Sequence, residues 1–116
     1  MTTHFDTWQK RFGLATCAAS AVETSIPESA PGIAVIYSTD ADGETIFLIV
    51  ESRAGSLRSQ CLKRLATAKL PPAATLLVSF IAELVDAASP EAVHEACRQQ
   101  VLRAAELRRE LRPAMR

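Results

Sequence analysis

The apolar positions of the chain change period several times, and each change predicts an element. Phe5, Trp8 and Phe12 recur at spacings of three and four, which places them on one helix face. Residues 3–24 therefore read as helical, with Gly13 interrupting or ending the first piece and the Ala-rich residues 14–22 resuming it. The next stretch, TSIPESAPG, holds two prolines, two serines and a glycine, and reads as a loop. Residues 32–37 and 45–51 are short runs rich in Val and Ile. They are apolar at successive positions, as in strands covered on both faces. Between them, STDADGE at residues 38–44 predicts a hairpin turn, its Asp-Gly step supplying the positive φ.

Helical spacing then returns. Ser56 is placed as the N-cap of a helix running to about residue 69, with Leu57, Cys61, Leu62 and Leu65 on its apolar face. Arg58, Lys63 and Arg64 point elsewhere, and Leu70-Pro71-Pro72 ends the helix. Residues 75–84, TLLVSFIAEL, suit either a strand or a buried helix, and periodicity does not separate the two. Their Thr, Val, Phe and Ile content, and the weakness of a two-stranded sheet, favour a strand. Ser89-Pro90-Glu91 opens the last helix. Val93, Cys97, Val101, Ala104, Leu107 and Leu111 keep to one stripe of it, and Pro113 stops it. The order α-β-β-α-β-α predicts an α+β fold with a small three-stranded sheet flanked by helices. It spans 1–116 as one domain, with 1–24 a helical extension and 31–112 the core.

A chain of 116 residues supports a single hydrophobic core. Its 48% apolar and 22% charged content is ordinary for a soluble globular protein. No apolar run is long enough to cross a bilayer, since the longest, 75–84, is broken by Ser79 and Glu83. The N-terminal MTTHFDTWQKRFG has no apolar signal core. A cytoplasmic protein with no membrane partner is expected. The three cysteines, Cys17, Cys61 and Cys97, lack metal-ligand or redox spacing and read as buried thiols in a reducing compartment. Net charge is zero, yet residues 1–52 carry seven acids and two bases while 53–116 carry eleven bases and six acids. That segregation permits an anionic partner for the second half without requiring one.

The segment PGIAVIYSTDADGETIFLIVESRAGSLRSQCLKRL, residues 31–65, resembles the start of a GIY-YIG nuclease domain, the fold found at the N-terminus of an excinuclease. In that family two strand tyrosines, a helix arginine and a later glutamate surround the scissile phosphate, the glutamate holding a divalent metal. Pro31-Gly32-Ile33 matches the start of the first motif, but its tyrosine position is Ala34. Gly43-Glu44-Thr45-Ile46 leads into the second motif, whose tyrosine is Phe47 and whose glycine is Ile49. Aligning Leu57 on the family's leucine puts Gln60 in the arginine's place. On the last helix Arg98 stands where the glutamate belongs, with Glu95 about one turn early. The likeness covers 31–65 and, more loosely, 75–112. It implies a GIY-YIG-like fold without nuclease activity: Ala34 cannot accept a proton, and Phe47 keeps the ring but loses the hydroxyl. No catalytic residue, metal or cofactor is assigned.

Other constellations add little chemistry. His94-Glu95 fails as a zinc HExxH motif because position 98 is Arg98. Glu91 and Glu95, at i and i+4, suit a divalent cation or simply the helix dipole. No Gly-rich phosphate loop and no nucleophile elbow is present. Arg53, Arg58, Lys63, Arg64 and Lys69 form one basic stretch, and Arg98, Arg103, Arg108, Arg109, Arg112 and Arg116 another. The reading is a non-catalytic binding module whose candidate partner is nucleic acid, contacted through Arg58, Lys63, Arg64 and Arg98. The alternative is a protein-interaction or homo-oligomerising domain, suggested by the stripe on the last helix and by the three N-terminal aromatics. A third reading is a divergent metal-dependent nuclease using Tyr37, Arg58 and Glu95.

Overall fold

A computed structural model describes residues 9–10, 13–27, 30–40, 43–52, 56–70, 75–83 and 89–111. Phe5, Trp8, Phe12, Arg53, Arg112 and Arg116 lie outside these, as does Pro113. The strands are β1 (Ala15–Ala18), β2 (Gly32–Asp40), β3 (Gly43–Glu51) and β4 (Leu77–Ala82). The helices are α1 (Val22–Ser25), α2 (Leu57–Thr67) and α3 (Pro90–Leu111). The fold is α+β, built on one antiparallel sheet in the order β1-β4-β2-β3.

The sheet has four strands where the sequence predicts three, and the fourth comes from the segment expected to be helical. Gln9 and Lys10 are helical. Gly13 then adopts φ 63°, and the Leu14 amide donates to the Gln9 carbonyl at 3.0 Å, the bond that closes a Schellman stop. The helix does not resume at Leu14 as expected, and helical structure returns only at Ala19. Ala15–Ala18 pairs with β4, Ala15 opposite Phe80 and Ala18 opposite Leu77. Alanine's helix preference is worth under about 1 kcal/mol per residue, less than a ladder that satisfies the backbone along β4. A short 3₁₀ turn, Ala19–Ala21, leads into α1.

The β2–β3 strands also run further into the expected turn, Asp40 pairing with Gly43. Residues 75–84 contribute a strand, Leu77–Ala82. Ser56 caps α2 by accepting from the Ser59 amide at 3.1 Å. Ser89 accepts from the Ala92 amide at the start of α3.

Both faces of β2 are covered by helices, which explains its unbroken apolar run. Ala34, Ile36, Leu48, Val50, Val78 and Phe80 face α2, whose Leu57 and Cys61 are fully buried among them. Ile33, Val35, Tyr37 and Ile49 face α3, which contributes Ala104 and Leu107. Each fully buried aliphatic side chain contributes about 1.5–3 kcal/mol. Gly32 is required where β2 meets β4: a Cβ there would lie 2.0 Å from the Ile81 carbonyl oxygen.

The open edge of β3 is obstructed. Between Ile36 and Tyr37 the register skips a residue, so Phe47 bulges out of the ladder. The Ser52 amide donates to the Gly32 carbonyl at 3.1 Å. The antiparallel alternation then turns the Ile49 and Glu51 backbone groups outward. Arg108 reaches them from α3, donating to the Ile49 carbonyl at 2.8 Å and to both oxygens of the Glu51 carboxylate. That carboxylate is 5% exposed.

Candidate functional site

The four residues read from sequence as phosphate contacts do not converge. Arg58, Lys63 and Arg64 are on α2, and Arg98 is on α3, across the sheet. Arg58 is half-buried and its Nε donates to the Ile26 carbonyl at 2.9 Å, tying α2 to the chain just after α1. Lys63 is exposed and faces away from the sheet. Arg64 is half-buried in the last turn, where the helix dipole favours a cation. Lys69, just beyond the helix, is exposed. Residues 56–70 contain these four cations and no acid.

The arginines of α3 are placed differently. Arg98 makes a bidentate pair with Glu95, at 3.0 and 2.9 Å. That pair, with a further bond from Gln99, pulls the Glu95 carboxyl down to about 2. Arg103 bonds Glu83 at 2.7 Å, and Arg108 holds Glu51. Three of the helix's cations are thus matched to carboxylates.

The positions aligned with the nuclease motifs divide in the same way. Ala34 is fully buried on the α2 side, and Phe47 packs, half-buried, on the same cluster. Gln60 is on α2 as well. Glu95 is on the far side of the sheet, at the outer surface of α3. Tyr37, Arg58 and Glu95 are likewise not gathered at one point: Tyr37 faces α3, 4% exposed, and accepts from the Ser79 hydroxyl at 3.1 Å.

Three features had no clear signal in the sequence. Ser79 is the centre of a polar network with Tyr37, Gln9 (2.8 Å) and Thr16 (3.0 Å) on the face of the sheet turned to α3. Glu51 and Arg108 meet from positions far apart in the chain, with no local spacing to announce them. Gln100 is fully buried within α3 and its Nε2 has no hydrogen-bond partner. Beside α2 lies an open groove of about 380 Å³ lined by Leu62, Leu65, Leu70 and Leu76, with Ser20 and Glu23 as its polar groups. No cluster of three metal-ligating side chains occurs among the described residues. Among these residues, no helix is long and apolar enough to cross a membrane.

Compared with known proteins, the chain matches no family model, no curated protein and no solved structure.

Proposed function

We propose that the chain is a non-catalytic, GIY-YIG-like binding module that takes nucleic acid on the outer surface of α2. The observation that carries this reading is the exposure of Lys63 and Lys69 on and just after α2, in a stretch that holds no acid. Arg98, Arg103 and Arg108 on α3 are each held by a carboxylate. Residues 56–70 carry Arg58, Lys63, Arg64 and Lys69 with no acid among them. A phosphate backbone gains affinity by releasing counterions to such a surface, with no need of base recognition. Lys63 and Lys69 are the exposed contacts. Arg58, spent partly on the Ile26 carbonyl, orients the helix. The GIY-YIG-like plan is supported by the hairpin-then-helix order of β2, β3 and α2. The absence of catalysis follows from Ala34 and Phe47, which offer no hydroxyl where the family carries one.

The test is fluorescence anisotropy with labelled single- and double-stranded DNA at two salt concentrations, with and without magnesium. Binding that weakens steeply with salt, without cleavage, is expected. Lys63→Glu together with Lys69→Glu should weaken binding to all sequences alike and flatten the salt slope by about two. No binding at low salt would rule out the nucleic-acid reading, and magnesium-dependent cleavage would overturn the claim of no catalysis.

A further inference from the structure

The face of α3 turned away from the sheet carries a pattern that the anion reading does not use. Leu102 is 57% exposed, the most exposed large apolar side chain among the described residues. At 3.6 residues per turn, Glu95, Arg98, Ala105, Glu106 and Arg109 share its face. Glu95, Arg98, Ala105 and Arg109 are exposed and Glu106 is half-buried. The opposite face, with Ala96, Cys97, Ala104 and Leu107, is buried in the protein's own core.

Within two turns on either side of Leu102, the charges on the outward face are antisymmetric about it; Glu91, three turns before it, has no charged counterpart. Glu95 stands seven residues before it and Arg109 seven after; Arg98 stands four before and Glu106 four after. An antiparallel second copy of α3, laid with Leu102 on Leu102, sets Glu95 and Glu106 each opposite a base. A parallel copy sets like charge against like. Ala105 is small enough to let two helix backbones approach, and antiparallel helices also oppose their dipoles. Such a pairing is self-complementary and closes with two-fold symmetry.

We propose that this face is a homodimer interface. Two copies pair antiparallel about a two-fold axis at Leu102, with Glu95 facing the second copy's Arg109 and Arg98 facing its Glu106. The Glu95–Arg98 bond within the helix is no obstacle, because both side chains are more than half exposed and such pairs are weak. The sheet edges offer no better route. The strand β1 has four residues, and β3 is bulged and obstructed by Arg108. One helix pair lies at the small end of specific interfaces, so the dimer is concentration-dependent. It leaves α2 of both copies uncovered and stands whether or not α2 binds nucleic acid.

Sedimentation velocity over a wide protein concentration range tests the proposal. The mass is expected to rise from one chain to two. Leu102→Glu should hold the protein at one chain, with circular dichroism unchanged because the position is exposed. Arg109→Glu should weaken the dimer about tenfold by setting an acid against the second copy's Glu95 at each of the two symmetric contacts. Adding Glu95→Lys to Arg109→Glu should restore most of the loss, because the swapped pair is again complementary. The proposal is overturned by a single-chain mass at every concentration. It is equally overturned by a dimer indifferent to Leu102→Glu, or by a double variant that associates no better than Arg109→Glu alone.

Discussion

Cys61 shows how far one residue's chemistry is set by its surroundings. Its thiol is fully buried under α2, and burial, with the nearby Cys17 second, pushes it from 9.0 up to about 12. The core therefore holds the neutral thiol, which is inert toward oxidants and metals. The unfolded chain ionises Cys61 from pH 9.0 and the folded chain only near 12, so stability is intact below pH 9.0 and declines between the two. Urea midpoints measured on either side of pH 9.0 should reveal that decline, and Cys61→Ala should reduce it. An alkaline slope unchanged in the variant would mean that another group titrates. Gly32 is constrained by space. Gly32→Ala drives a Cβ into the Ile81 carbonyl and should cost about 3 kcal/mol, read as a lowered thermal midpoint. A midpoint equal to the native one would show that β2 and β4 can separate without penalty.

The strand β3 and the helix α3 act as one unit at the element scale. Glu51 is nearly buried, and Arg108 both neutralises it and covers the outward Ile49 carbonyl. Removing the cation takes two hydrogen bonds and a countercharge from a buried carboxylate and uncovers a strand edge. Arg108→Ala is therefore expected to destabilise the protein by about 2–3 kcal/mol, less than for a fully buried pair because Arg108 is 38% exposed. It should also promote aggregation, as exposed edges do. Chemical denaturation and light scattering read the two effects. A variant as stable and as monodisperse as the native chain would show that Arg108 does not protect the edge. The helices are readable from sequence because capping and amphipathic spacing are local: Ser56 and Ser89 cap the helices that their positions predict. The edge device is not, because its partners lie far apart in the chain.

At the scale of the whole molecule, the sheet separates the two basic helices, so what reads along the chain as one basic half becomes two unlike surfaces. That division underlies both proposals: nucleic acid on α2 and a second copy on α3. If both hold, the dimer presents two α2 surfaces, and its affinity for a long duplex should exceed that of the Leu102→Glu monomer through multivalency. Anisotropy on long and short duplexes with both proteins checks this; equal affinities on the long duplex would exclude cooperation between the copies. The sequence alone determined the α+β class, the β2–β3 hairpin, both long helices and the lack of hydroxyls at Ala34 and Phe47, since period, capping and residue type act over a few positions. Only the tertiary structure decided that Ala15–Ala18 is a strand. The unpaired edge of β4 needed a partner, and that demand outweighed alanine's local preference. It also decided which cations remain at the surface. An ion pair such as Glu51–Arg108 depends on distance in space, and spacing along the chain does not encode it.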